Sequence, residues 1–143
     1  MYCTVTDMQK LFPLSMLINL SNDVAAQTTV NKTNIYEAID QADREIDAYL
    51  AIAGYSVPMD PVPPLINNMS TKMAIWNLHL RKLWKDVIWE DAYKVQQQLL
   101  EKIATGRIKL GQLEEDVTQV TGSTSVVSTR DRKFTTAIME MFQ

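Results

Sequence analysis

The chain has 143 residues, of which 46% are hydrophobic and 22% are charged, values that predict one globular domain with a single core. The formal net charge of −3 argues against a protein that binds polyphosphate mainly through bulk charge. Neither G-x-G-x-x-G nor G-x-x-x-x-G-K-[ST] occurs, which excludes the usual glycine-rich phosphate loops.

The first predicted helix begins with a capping box formed by Thr6 and Gln9 and runs to about Phe12. Pro13 ends it, and a second short helical run follows, closed by polar residues 21–23. The apolar residues of that run are Leu14, Met16, Leu17, Ile18 and Leu20.

A longer helix follows a polar loop, and either Asn31 or Thr33 caps it. Its apolar residues recur at spacings of three and four, which predicts one buried stripe, and Gly54 marks its end. They are Ile35, Ala38, Ile39, Ala42, Ile46, Tyr49, Leu50 and Ala53. Residues 55–64 hold four of the five prolines and predict a stiff, extended crossover, with Pro64 as the first residue of the next helix.

Residues 65–105 contain no glycine or proline and show the strongest helical periodicity in the chain. The apolar residues that step by three or four are Ile66, Met69, Met73, Trp76, Leu80, Leu83 and Val87. Asp86 is a candidate N-cap, so we expect a break between Trp84 and Ile88 into two antiparallel helices, the second ending near Gly106. The sequence therefore predicts an all-α fold, a small bundle of about four main helices with a Pro-rich crossover.

Composition changes after Gly111, so we divide the chain into a helical core, residues 1–111, and a C-terminal arm, residues 112–143. The arm is predicted to be extended, with room for a short strand or helix, and its end carries apolar residues at i, i+4, i+7 and i+8 after a basic cluster. These arm residues are Arg130, Arg132, Lys133, Phe134, Ile138, Met141 and Phe142. An end of this kind needs a docking surface, either on its own core or on another subunit.

Catalytic and metal-binding patterns are weak. One cysteine, Cys3, and one histidine, His79, exclude an internal disulfide and leave a Cys/His zinc site without ligands. His79 has no identifiable nucleophile or orienting acid, so we expect no enzyme activity and no cofactor. The opening residues have no basic start, and no window approaches the ~20 apolar residues of a membrane span, so we expect neither secretion nor membrane contact.

Two charged groups leave alternatives open. Glu37, Asp40, Asp43 and Asp47 share one surface of a predicted helix. We interpret them as a solvated acidic face, the alternatives being a metal site completed by oxygen ligands from elsewhere and a surface that repels passing DNA.

The second group, Arg81, Lys82 and Lys85, lies among three tryptophans, Trp76, Trp84 and Trp89. The tryptophans fit core or subunit contacts, but the mixture also fits a small helical nucleic-acid-binding or regulatory module that uses the basic arm residues as well.

Several segments together resemble the small head-tail connector family of Mu-like phages and prophages. They are residues 2–8 (YCTVTDM), 34–50 (NIYEAIDQADREIDAYL), 55–58 (YSVP) with Pro64, 100–111 (LEKIATGRIKLG), 132–134 (RKF) and the final Phe142. The resemblance covers nearly the whole chain and depends on the order and spacing of these segments.

The resemblance implies an all-helical adaptor at the virion neck, made in the host cytoplasm during assembly. Such an adaptor forms a closed homo-oligomeric ring, of about twelve copies, in which different flanks of each subunit meet. The ring lies beneath the portal protein, joins the capsid to a downstream neck or tail-completion protein, and surrounds DNA that passes without sequence-specific binding. The arm residues would then dock on the portal or on a neighbouring subunit, and the acidic face would either be solvated or line the channel.

Overall fold

The computed structural model describes residues 1–110, which form five α-helices joined by loops and contain no β-strand. The helices are α1 (Val5–Leu11), α2 (Leu14–Ser21), α3 (Lys32–Ile52), α4 (Pro64–Arg81) and α5 (Val87–Ala104). The all-α prediction is confirmed, with three long helices and two short ones in place of about four. No helix in this part of the chain is long and apolar enough to cross a membrane.

The capping box of α1 lies two residues before the predicted one. Thr4 Oγ1 accepts from the Asp7 N–H at 3.2 Å, and the Asp7 carboxylate accepts from the Thr4 N–H at 2.9 Å. Asp7 also accepts from Asn67 Nδ2 on α4 at 3.0 Å. The Thr6 and Gln9 prediction is therefore wrong: Thr4 and Asp7 form the box, and Asp7 also bonds to α4.

Three other helix starts agree with the sequence. Asn31 caps α3 by accepting from the Asn34 N–H at 3.2 Å, and Pro64 opens α4. Asp86 caps α5 by accepting from the N–H groups of the second and third helical residues at 3.0 and 3.3 Å. Each cap supplies a partner for backbone donors that have none inside the helix.

Glycines end α3 and α5 in the same way. Gly54 and Gly106 have φ of +90° and +80°, a left-handed conformation that glycine adopts without steric cost. The N–H of the residue after each glycine donates to the carbonyl five positions back, at 3.0 Å after α3 and 2.8 Å after α5. Both helices thus close in a Schellman motif.

The long helices form the bundle. α3 packs along α4, α5 packs against both, α1 contacts α4, and α2 contacts α3 and α4. The interior is mostly apolar, and its largest fully buried side chains are Met8, Leu17, Leu20, Ile35, Ile39, Ile46, Leu50, Ile66, Met69, Met73, Ile75 and Leu78. Six of the eight residues of the predicted α3 stripe are buried, and the other two, Tyr49 and Ala53, are partly buried.

Residues Met1–Ile108 form one compact unit, and a second unit begins at Lys109. Only Lys109 and Leu110 of the second unit are among the described residues. The predicted division at residue 111, the extended arm and its short strand or helix lie outside them and stay predictions.

Candidate functional site

The four predicted acidic residues do not share one environment. Glu37 and Asp40 are exposed, and the Asp40 carboxylate pairs with Arg44 at 2.7 Å. Asp43 and Asp47 are partly buried, because they are turned toward the first residues of the chain. These two are thus less open to solvent than Glu37 and Asp40, and the interpretation of the group as a solvated or channel-lining face stays a prediction.

Tyr2 makes hydrogen bonds to both partly buried carboxylates, Asp43 and Asp47. Asp43 accepts from the Tyr2 N–H at 2.9 Å and from the Ser70 hydroxyl at 2.6 Å, and burial raises the pKa of the Asp43 carboxyl. The Tyr2 hydroxyl donates to Asp47 and accepts from the Met59 N–H at 3.0 Å. Burial and the Asp47 carboxylate raise the pKa of Tyr2 to about 12. The network connects the start of the chain to α3, α4 and the Pro-rich crossover.

The same region contains no metal-ligating cluster: within residues 1–110, no three His, Cys, Asp or Glu side chains are grouped to hold a metal ion. The Asp43 and Asp47 carboxylates instead accept hydrogen bonds from groups of the protein.

Cys3 and His79 are both buried in the bundle, 1% and 3% exposed. Burial raises the pKa of the Cys3 thiol to about 11, and its sulfur lies 3.2 Å from the Ser70 hydroxyl oxygen, whose proton is donated to Asp43. His79 Nδ1 lies 2.8 Å from the Ile75 carbonyl oxygen and therefore donates to it. The imidazole stacks on Trp76, with ring centroids 6.2 Å apart. Both residues contribute to packing.

The three tryptophans are in three different environments. Trp76 is buried, and Trp89 is partly buried against the Phe12 ring, with centroids 5.5 Å apart. Trp84 is 47% exposed, and the Lys82 ammonium lies 5.7 Å from its ring centroid. The predicted packing role therefore holds for Trp76 and Trp89, while Trp84 faces outward.

Arg81 and Lys85 differ in their surroundings. The Arg81 guanidinium pairs with Asp23 at 2.5 Å and holds the pKa of that carboxyl below its usual range. Lys85 is exposed in the turn between α4 and α5. The ion pair connects the end of α4 to the segment after α2.

Several exposed apolar side chains lie at and beside the turn between α4 and α5. We call this surface the α4–α5 apex, and its residues are Leu80, Leu83, Trp84, Val87 and Ile88, between 47% and 88% exposed. Clustered exposed apolar side chains are typical of interaction sites. The periodicity had assigned Leu80, Leu83 and Val87 to a buried stripe. That assignment is wrong: α4 ends at Arg81, so its periodicity does not continue to Leu83 and Val87, and Leu80 in its last turn is half exposed.

Leu83 also has an unusual backbone. It follows the C-cap of α4 with φ of +56°, the Trp84 N–H donates to the His79 carbonyl at 3.0 Å, and the Leu83 N–H donates to the Leu80 carbonyl at 3.0 Å. This is the Schellman motif that glycine completes after α3 and α5. A bulky residue in the left-handed region is uncommon, since it costs about 1–2 kcal/mol. The side chain that incurs this cost is 88% exposed.

A shallow groove of about 260 Å³ adjoins the apex. Its lining joins the turn after α4 to the end of α2 and the loop that follows: Ile18, Asn19, Asn22, Asp23, Val24, Ala25, Gln27, Lys82 and Trp84. Small-molecule sites usually have volumes of about 300–1,000 Å³, so this groove suits a side chain better than a cofactor.

The predicted docking residues Arg130, Arg132, Lys133, Phe134, Ile138, Met141 and Phe142 lie outside the described residues, so their role stays a prediction. A family model described as "Bacteriophage Mu, Gp36" matches residues 2–128, nearly the whole chain. No curated protein matches the chain.

Proposed function

The chain belongs to the bacteriophage Mu Gp36 family and is a phage structural or assembly protein, and we propose that it acts as a head-tail connector. In this proposal, copies of the chain form a ring beneath the portal, join the capsid to the tail-side neck proteins and surround part of the DNA channel. The protein has no catalytic task and needs no cofactor. It is made in the host cytoplasm and resides at the virion neck after assembly.

The observation that carries the proposal is the α4–α5 apex on a well-packed helical unit. A closed ring needs a surface on each subunit that a different surface of the next subunit covers. The apex supplies apolar residues for such a contact, including an exposed tryptophan, a residue type that often dominates interface energy. The large buried core beneath it allows a subunit to fold before its neighbours arrive.

The C-terminal arm supplies the second element of the proposal. Its apolar residues at helical spacing and the preceding basic cluster fit docking on the portal or on a neighbouring copy. The polar stretch before them provides the length to reach another subunit.

The decisive experiment deletes the gene from the phage or prophage that encodes it, induces lysis and examines the particles by electron microscopy. We expect separate heads and complete, unattached tails, with DNA lost from some heads. The wild-type gene supplied in trans should restore joined virions. Normal virions from the deletion strain would overturn the connector proposal.

One observation favours the alternative of a nucleic-acid-binding module, namely the exposed Trp84 ring beside the Lys82 ammonium. The Arg81 guanidinium, in contrast, is already paired with Asp23. Binding to phosphates weakens steeply with salt, by about 10³–10⁵ between 50 and 200 mM for a protein with 6–10 phosphate contacts. Fluorescence anisotropy of labelled DNA in that range tests the alternative, and an absence of salt-sensitive binding would remove it.

A further inference from the structure

Leu83 combines a left-handed backbone conformation with an exposed side chain. α3 and α5 close the same hydrogen-bonded motif with Gly54 and Gly106, at φ of +90° and +80°. Only α4 closes it with a bulky residue, and its side chain, 88% exposed, gains little from burial within its own subunit. The left-handed backbone is unfavourable, and burial of the side chain within the subunit does not offset it. We therefore infer that the side chain acts in a contact outside the subunit.

The surroundings of Leu83 indicate what kind of group it meets. Val87 and Ile88 are 70% and 76% exposed, and Trp84 lines the groove of about 260 Å³ beside them. An apolar surface with an adjoining groove of this size fits an amphipathic segment that lays one face on the apex and inserts one large side chain.

The chain itself contains a segment with that chemistry. Phe134, Ile138, Met141 and Phe142 are spaced to fall on one face of a helix, and two of the four are phenylalanines. The first unit ends at Ile108, and residues 109–133 lie between it and this segment in the chain. A stretch of that length has a maximum span of about 80 Å, against about 27 Å for the length of α5.

We propose that the α4–α5 apex is the docking site for residues 134–142 of a neighbouring copy of this chain. The choice of a neighbouring copy depends on the ring of the proposed function, which requires contacts between copies. Leu83, Val87 and Ile88 provide the apolar platform, and a phenylalanine from the neighbour occupies the groove lined by Trp84. Each subunit then has the apex as one contact surface and residues 134–142 as the other, and a head-to-tail ring requires two such different surfaces on every subunit.

Disulfide crosslinking in assembled particles tests this proposal. The deletion strain receives two differently tagged genes, one encoding Leu83→Cys and the other Ile138→Cys, and purified particles are oxidised and analysed without reductant. Native Cys3 stays in place, since it is 1% exposed. We expect a covalent dimer that carries both tags. Val95→Cys, at a residue 50% exposed on α5 outside the apex, paired with Ile138→Cys, is the matched control and should give none.

The outcomes separate this inference from the proposed function. Immunoblotting first establishes whether the wild-type protein is in the particles, and its absence would overturn the connector role and the ring on which the docking depends. With the wild-type protein and both tagged cysteine variants detected in their particles, no Leu83–Ile138 dimer, or an equal yield with Val95, would overturn only the docking site. A chain with both substitutions that forms only an internal disulfide would show that its own arm covers the apex, which would overturn the neighbouring copy as the occupant.

A charge at the apex gives an independent measurement. Leu83→Asp should lower incorporation into particles about tenfold or more, because a central apolar contact becomes a buried carboxylate without a partner. The thermal unfolding of the isolated protein should change little, since the side chain is exposed there. Normal incorporation of this variant would contradict the docking site.

Discussion

Replacing Leu83 with glycine should make the protein more stable. The residue has φ of +56° and closes the C-terminus of α4 in a motif for which glycine is the usual residue. Because its side chain is 88% exposed, Leu83→Gly removes very little buried apolar surface. The substitution thus changes mainly the backbone energy.

The expected gain follows from two opposing contributions. Relief of the left-handed conformation is worth about 1–2 kcal/mol. The greater freedom of glycine in the unfolded chain costs about 0.5–1 kcal/mol. The net increase in the free energy of unfolding is about 0–1.5 kcal/mol, which for a chain of this size raises Tm by up to about 5 °C.

Thermal and urea unfolding followed by circular dichroism measure this difference. Gly106→Ala is the matched control, because Gly106 closes the same motif after α5 and an added Cβ meets no atom within 4 Å. The control should lose about 1 kcal/mol, since it introduces the left-handed cost that Leu83→Gly removes. A lower Tm for Leu83→Gly would refute the reasoning, as it would mean that Leu83 stabilises its own subunit. Under the docking proposal, the stabilised variant should still enter particles poorly.

Three further predictions concern the core and the start of the chain. Ile39→Ala should lower the free energy of unfolding by about 2–5 kcal/mol in urea, because Ile39 is fully buried, whereas Ile52→Ala, at a residue 73% exposed, should change it little. Asp7→Ala should cost about 1–2 kcal/mol in the same assay, since it removes a capping box and a bond to α4; an unchanged midpoint would contradict that assignment. Burial raises the pKa of the Cys3 thiol from 9.0 to about 11, so the stability it contributes is complete below pH 9 and is lost as the pH rises toward 11. Urea unfolding between pH 8 and 11 should show this decline, and Cys3→Ala should reduce it; the same decline in both proteins would exclude the thiol as its source.

Local signals in the sequence were sufficient for most of the architecture. Asn31, Pro64, Asp86, Gly54 and Gly106 all act where the sequence places them, because capping and chain reversal depend on the chemistry of one residue and its near neighbours. The buried stripe of α3 was readable for a similar reason, since a helix with one apolar face has only one way to turn toward a core.

The candidate site was less accessible to sequence reasoning. Periodicity predicted a buried stripe through Leu80, Leu83 and Val87. Spacing indicates which residues share a helix face, but it does not indicate where the helix ends, and α4 ends at Arg81. Similarly, Asp43 and Asp47 belong to a charged helix face, and only the approach of Tyr2 turns them inward.

The amino-acid sequence by itself determined the helical class, the order of the helices and most of their caps, because those features arise from interactions within a few residues. Only the tertiary structure decided which apolar side chains are left outside the core and which carboxylates are buried. These depend on contacts between segments far apart in the chain, such as Tyr2 with Asp43, and on the point at which each packed helix stops.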